Sequence, residues 1–193
     1  MPESLNRFYL LSDGGSDRAL RVQLASGSDA YSVLRGETIP PEPIILDVTS
    51  GKRVLDLIGT GHAGIYLVSP KFISVLQTSG FSGWRGLESV VRQSGEPILP
   101  GYRLLTITGR SGPIEDGRSE RLLIPSPTAG SAVGGWRGIL FDPATWDGSD
   151  LFLPANTAHT IVLDRVRDAL LRVGITGAEF ERITDIERMW SVN

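Results

Sequence analysis

The residues best suited to phosphate chemistry lie between Gly59 and Gly64, where the sequence GTGHAG has the spacing G-x-G-x-x-G. In dinucleotide-binding proteins this spacing joins a strand to a helix, whose N-terminus faces the pyrophosphate. Here Gly64 leads directly into a run of β-branched and aromatic residues, Ile65-Tyr66-Leu67-Val68, which is typical of a strand. We therefore expect a glycine-rich connection between two strands. A small hydrolase or nucleotide-binding enzyme that uses the Gly59–Gly64 loop is the alternative function.

Acid–base, thiol and metal chemistry have few candidate residues. The chain contains two histidines, His62 and His159, and no cysteine, so thiolate catalysis, disulfides and thiolate zinc sites are excluded. The sequence also lacks the G-x-S-x-G nucleophile elbow of many hydrolases. We predict no catalytic residue, no cofactor-binding residue and no metal ligand, and we expect a protein that is not an enzyme.

Three aspartates and a tryptophan are concentrated in one turn-prone segment. Asp142, Asp147 and Asp150 carry oxygens of the kind that bind Ca²⁺, but their spacing fits no EF-hand loop. Trp146 lies among them, and tryptophan is enriched at the energetic centres of protein interfaces. An aromatic anchor within an acidic rim suits a basic partner surface, so we predict that these four residues contact a partner. The alternative is that Trp146 packs inward while the aspartates cap turns.

Length and composition indicate one folded domain. The chain has 193 residues, of which 40% are hydrophobic and 21% charged, and a chain of this length buries about 70% of its unfolded surface. The net charge of −3 disfavours nucleic acid as a partner. The sequence contains neither an apolar run of membrane-spanning length nor the start of a signal peptide. We expect a cytoplasmic protein without a membrane partner.

Two segments of the chain carry the same pattern of residues at one constant offset. The identical pairs are Leu76/Leu170, Gly80/Gly174 and Gly83/Gly177. In each segment an apolar run precedes a helix-capping residue, Ser69 or Asp164, and glycine follows the amphipathic stretch, as at a helix C-terminus. The repeated pattern predicts two similar units, each a strand, a helix of about ten residues and a second strand.

These elements predict an α+β fold with a mixed sheet and few short helices. The two similar β-helix-β units span about residues 65–91 and 161–183 and share one core, and a β-rich irregular part covers about residues 1–60. We expect residues 1–193 to form a single domain. The segments 109–120 and 142–150 read as exposed loops, where recognition residues are usually found.

Several segments together resemble a known family. They are Phe8–Leu11, Arg53–Leu57, Leu67–Phe72, Trp146–Phe152, Ile161–Val166 and Gly174–Glu181. They are similar to the bacterial immunity-protein family first noted in myxobacteria, often encoded beside polymorphic toxins. The resemblance extends from Phe8 to Glu187 and implies a non-enzymatic cytoplasmic protein that binds and neutralises a cognate toxin. A related branch carries two Cys-x-x-Cys-Gly motifs, which this cysteine-free chain lacks, so metal binding is not implied.

Overall fold

A computed structural model describes residues 5–15, 18–25, 30–37, 43–125 and 132–189, and these form a mostly β, α+β structure. The α-helices are Ala30–Leu34 (α1), Pro70–Thr78 (α2) and Asp164–Arg172 (α3). The strands are Phe8–Asp13 (β1), Arg21–Leu24 (β2), Ile44–Ser50 (β3), Leu57–Gly59 (β4), Tyr66–Val68 (β5), Trp84–Gln93 (β6), Glu96–Ile98 (β7), Arg103–Ile107 (β8), Gly109–Pro113 (β9), Glu120–Pro125 (β10), Ala132–Arg137 (β11), Leu151–Ala155 (β12), Ile161–Leu163 (β13), Ala178–Arg182 (β14) and Glu187–Met189 (β15).

The described strands form three sheets. The largest has the order β2-β3-β6-β8-β5-β4, with β7 paired to β6, and a bridge between Val22 and Thr60 brings β2 beside β4. This sheet is therefore a nearly closed barrel. A five-stranded sheet has the order β14-β1-β13-β12-β9, and a three-stranded sheet has the order β10-β11-β15. The pairs β3–β6 and β9–β12 are parallel, whereas the other strand pairs are antiparallel.

Helix α2 begins and ends where its sequence predicts. The Ser69 hydroxyl accepts a hydrogen bond from the Phe72 N–H at 3.1 Å, and Pro70 occupies the first turn, where its missing N–H leaves no bond unmade. Phe72 and Leu76 are fully buried on the inner face. Gly80 has a φ of +66°, the left-handed conformation that favours glycine after a helix.

Helix α3 follows the same plan with a different start. Val166 and Leu170 are buried, and Gly174 again has a φ of +66°. The prediction that Asp164 caps this helix is wrong, because Leu163 occupies the cap position and Asp164 lies in the first turn. An aspartate there still stabilises the helix by facing the positive end of its dipole.

The first strands of the two β-helix-β segments have the same pairing register with their neighbours, when residues 94 positions apart in the chain are taken as equivalent. In the barrel, β5 pairs with β8 so that Leu67 lies opposite Leu104. In the five-stranded sheet, β13 pairs with β1 so that Ile161 lies opposite Leu10. Strand β1, near the start of the chain, therefore has the same place beside the second segment that β8 has beside the first.

One sequence expectation for the strands is corrected. Residues 109–113 were expected in an exposed loop but form β9, which pairs in parallel with β12 through Gly109 and Phe152. Glycine and proline weaken the strand pattern in this segment, and the neighbouring strand supplies the order.

An aromatic cluster joins the five-stranded sheet to the chain segment before β12. The rings of Phe8, Phe141 and Phe152 are fully buried and meet edge to face, with centroids 5.3–5.6 Å apart. This geometry is the favoured one for aromatic pairs. Trp146 of the 142–150 segment packs against this cluster.

Candidate functional site

Asp142 and Asp147 are engaged by the backbone of their own segment and of β9. The Asp142 Oδ1 atom accepts from the Ala144 N–H at 3.2 Å and caps a short 3-10 helix, Pro143–Thr145. The Asp147 Oδ2 atom accepts from the Arg110 N–H at 2.7 Å, and its Oδ1 atom accepts from the Ser149 N–H at 2.9 Å. Both carboxylates therefore order the segment, as aspartates commonly do in turns.

Trp146 packs inward. Its ring centroid lies 5.2 Å from that of Phe8 and 5.8 Å from that of Phe152, and its indole N–H donates to the Ser149 carbonyl at 3.0 Å. The Arg7 guanidinium carbon lies 5.2 Å from the Trp146 ring centroid. The indole is thus an extension of the aromatic cluster. A partner contact through Asp142, Trp146, Asp147 and Asp150 stays a prediction.

Asp150 is an interior residue, only 2% exposed. Its Oδ2 atom accepts from the N–H and the hydroxyl of Ser82, at 2.9 and 3.1 Å, and its Oδ1 atom accepts from the Arg165 guanidinium. A carboxylate that is buried in this way requires such partners, because an unpaired buried charge is very costly. In the folded protein the Asp150 carboxylate therefore binds Ser82 and Arg165.

A matching carboxylate, Asp56, was not singled out by the sequence analysis. Its Oδ2 atom accepts from the N–H and the hydroxyl of Thr176, each at 2.9 Å, and its Oδ1 atom accepts from the Ser69 hydroxyl at 2.8 Å. Burial alone would raise the pKa of Asp56. The bonds from Thr176 and Ser69, together with the charge of Lys71, outweigh burial and lower the pKa below its usual value of 3.8.

Asp56 and Asp150 lie 94 residues apart in the chain, as the starts of α2 and α3 do, and each carboxylate binds the turn after the other unit's helix. Asp56, before the first unit, binds the turn that follows α3, whereas Asp150, before the second unit, binds the turn that follows α2. The available sequence signal was the dipeptide Asp-Leu, which occurs as Asp56-Leu57 and again as Asp150-Leu151. We refer to these two hydrogen-bonded groups as the carboxylate latches.

The Gly59–Gly64 loop joins two antiparallel strands, β4 and β5, so no helix begins at Gly64. The Thr60 hydroxyl donates to the Ile65 carbonyl at 3.0 Å and accepts from the His62 N–H at 3.2 Å, which closes the loop on itself. The expected strand-to-strand connection is therefore confirmed. Gly64, with a φ of +75°, lies against the backbone of Ala158 in the turn between β12 and β13, where a side chain would not fit.

The three-stranded sheet carries two apolar side chains that are largely uncovered. Leu123 is 78% exposed and lies opposite Gly134, and Met189 is 55% exposed and lies opposite Gly135. Because successive side chains on a strand alternate between faces, these pairings place Leu123 and Met189 on opposite faces of the sheet. A glycine offers no side chain for its cross-strand neighbour to pack against, which accounts for the exposure of both residues.

Charged and aromatic residues lie beside these apolar positions in register. Arg121, Trp136 and Arg188 form one row across β10, β11 and β15, and the Arg121 guanidinium carbon lies 5.3 Å from the Trp136 ring centroid. In the next row Arg137 lies between Glu120 and Glu187, with nitrogen–oxygen distances of 3.0 and 2.9 Å. We call the three-stranded sheet with these side chains the side-sheet surface.

The described part of the chain contains no group of three His, Asp or Glu side chains arranged to hold a metal ion. Within the same residues, none of the helices has the length and apolar character needed to cross a membrane. Comparison of the sequence with protein-family models and with curated proteins finds no match for this chain.

Proposed function

We propose that this protein binds a cognate protein toxin and neutralises it without catalysis, and that the side-sheet surface makes the contact. The observation that carries the proposal is the exposure of Leu123 beside the stacked pair of Arg121 and Trp136, on one face of the small sheet. The family resemblance described above supplies the class of partner. The proposal includes action in the cytoplasm, where such a toxin would be met.

The composition of the side-sheet surface supports a role in protein binding. Arginine and tryptophan, present here as Arg121 and Trp136, are the residue types most often found at the energetic centres of interfaces. Single exposed apolar residues are common on protein surfaces, but Leu123 lies next to this stacked pair along β10. A partner that covered Leu123 would therefore also contact the aromatic and cationic groups that strengthen binding.

The strand order favours contact along an edge as well as through side chains. Strand β10 pairs with β11 on one side only among the described strands. An extended segment of a partner bonded to a free strand edge gains main-chain hydrogen bonds, while neighbouring pockets or side chains give specificity. The charged row of Glu120, Arg137 and Glu187 then borders the contact and disfavours partners with mismatched charge.

We also propose that the two β-helix-β units are structurally equivalent copies around one core. The common offset of their strand registers, their equal glycine φ angles and the reciprocal carboxylate latches support this proposal. In such an arrangement the units supply a stable frame, and the side sheet is free to vary for recognition without loss of the core.

Co-expression with toxins encoded beside the gene tests the proposed function directly. The wild-type protein should rescue growth and co-purify with one such toxin. Leu123→Asp should reduce the affinity at least tenfold, since a charge would be desolvated in the contact. The matched controls are Met189→Asp, on the opposite face of the sheet, and Leu171→Asp, at a 53% exposed leucine of α3, and both should leave binding unchanged.

The melting temperature separates loss of contact from loss of folding. Both side-sheet variants should keep the wild-type melting temperature within about 2 °C, as expected for surface substitutions. Failure to bind or rescue against every neighbouring toxin would overturn the proposed function. Full binding by Leu123→Asp would overturn the assignment of the contact to the side-sheet surface.

A further inference from the structure

A surface cavity of about 500 Å³ lies where the connection before β2 meets the end of β3. The described residues that line it are Arg18, Gly51, Lys52 and Arg53, so three of the four carry a positive charge. None of these residues belongs to the Gly59–Gly64 loop, the 142–150 segment or the side-sheet surface. The cavity volume falls within the range of small-molecule sites in proteins.

Backbone hydrogen bonds fix the three cationic residues beside one another. The N–H groups of Lys52 and Arg53 both donate to the Arg18 carbonyl, at 3.1 and 2.9 Å, and the Leu20 N–H donates to the Arg53 carbonyl at 2.8 Å. Gly51 has a φ of +73°, and a Cβ atom there would lie 2.9 Å from the Leu20 backbone nitrogen. The close approach of the two chain segments therefore depends on glycine at this position.

Among the described residues, no acidic side chain pairs with these three charges. None of the side chains of Arg18, Lys52 and Arg53 forms an ion pair with a residue in the described part of the chain. Other arginines of the protein do so, as Arg92 does with Asp47 at 2.9 Å. The repulsion among three neighbouring positive charges favours the binding of an anion at this cavity.

We propose that this cavity binds a small, multiply charged phosphate ligand of the diphosphate class. Two guanidinium groups are suited to bidentate contact with phosphate oxygens, and the Lys52 ammonium adds a compact third charge. Three cations match the charge of a diphosphate better than that of a monovalent anion. Binding at this cavity is a property separate from toxin neutralisation and does not depend on the side-sheet surface.

Calorimetry and thermal denaturation with inorganic pyrophosphate, at constant ionic strength, test the proposal on the full chain. Pyrophosphate should bind with a stoichiometry of one, and a concentration 100 times Kd should raise the melting temperature by about 5–10 °C. A parallel titration with ADP distinguishes the source of the diphosphate. Tighter binding of ADP supports a nucleotide ligand, and equal binding supports an inorganic or sugar-free diphosphate.

Substitution of the lining residues locates the site. Arg18→Gln and Arg53→Gln should each weaken pyrophosphate binding at least tenfold. The melting temperature without ligand should stay unchanged, because neither side chain forms an ion pair with a described residue. The matched control is Arg172→Gln, which removes the same charge from an exposed position at the end of α3. Absence of binding by both ligands, or an equal loss of affinity in Arg172→Gln, would overturn the proposal.

Discussion

At the level of single residues, Asp56 and Asp150 show how a charged group is used inside this fold. Each carboxylate accepts hydrogen bonds from both the N–H and the hydroxyl of one residue, Thr176 or Ser82, in a turn that follows a helix. A basic side chain, Lys71 or Arg165, lies beside each carboxylate. Hydrogen bonds to a charged acceptor are roughly twice as strong as those between neutral groups. Each carboxylate latch therefore stabilises the turn that follows a helix.

Replacement of Asp56 should make the protein less stable at neutral pH and change its response to acid. Asp56→Asn should lower the free energy of unfolding by about 1–3 kcal/mol at pH 7, because the Thr176 donors lose a charged acceptor. The folded-state pKa of Asp56 is lowered, so its stabilising contribution is complete above the unfolded pKa of about 3.9 and is lost as the pH falls further. Urea unfolding between pH 2.5 and 7 measures this difference.

The matched control for this experiment is Asp47→Asn. The Asp47 side chain is half exposed and pairs with Arg92 at the surface, where such pairs contribute about 0–1 kcal/mol. The Asp47 variant should therefore remain close to the wild type at every pH. A gap between wild type and Asp56→Asn that stayed constant down to pH 2.5 would contradict the assigned role of the Asp56 charge.

At the level of elements, each of the turns that follow α2 and α3 contains two glycines, and the two have different structural roles. Gly80 and Gly174 each have a φ of +66°, and a Cβ atom on either would meet nothing within 4 Å. Gly83 and Gly177 also have positive φ angles, but there a Cβ atom would press on the backbone of Leu151 or Leu57. The first pair is needed for backbone conformation alone, whereas the second pair is also needed for close packing.

Alanine substitutions should distinguish the glycines needed for backbone conformation alone from those also needed for close packing. Gly80→Ala should destabilise the protein by about 1–2 kcal/mol, the cost of a left-handed conformation for an ordinary residue. Gly83→Ala should cost about 3 kcal/mol or more, since a clash with β12 adds to the same conformational cost. Urea midpoints of the two variants provide the measurement, with Gly174→Ala and Gly177→Ala as the corresponding pair. If Gly80→Ala and Gly83→Ala lowered the free energy of unfolding equally, β12 would have to shift away from the new methyl group at no energetic cost.

Local sequence signals were sufficient for the boundaries of α2, but not for the start of α3 or for the assembly around the helices. Ser69, Pro70 and Gly80 act on residues close by in the chain, so α2 could be predicted from its own segment. The place of β1 depends on pairing with strands more than 150 residues away, and no local pattern records such a partner. The cluster of Arg18 with Lys52 and Arg53 was missed for the same reason.

The 142–150 segment shows a different limit of sequence reasoning. Composition identified an aromatic residue among aspartates but left two orientations open for Trp146. The structure selects the inward one because Phe8 and Phe152 already form an edge-to-face pair that the indole extends. Orientation of this kind depends on tertiary packing, which residue types and spacing do not encode.

At the level of the whole molecule, the latches cross between the two halves of the structure. Asp56 lies beside the barrel strand β4 and binds Thr176, which precedes β14 of the five-stranded sheet. Asp150 lies beside β12 of the five-stranded sheet and binds Ser82, which precedes β6 of the barrel. Each half therefore depends on the other to hold the turn after its helix, and the two should open together rather than independently.

Hydrogen exchange measured by mass spectrometry should reveal this coupling in Asp56→Asn. We expect peptides that contain β5 of the barrel and β13 of the five-stranded sheet to lose protection by similar factors, because the broken latch joins the two sheets. A destabilisation of about 1–3 kcal/mol corresponds to about 5–150-fold faster exchange through global opening. Asp47→Asn, whose ion pair with Arg92 lies within the barrel sheet, should leave protection unchanged in both peptides. Loss of protection in only one of the two peptides would mean that the halves open independently despite their reciprocal bonds.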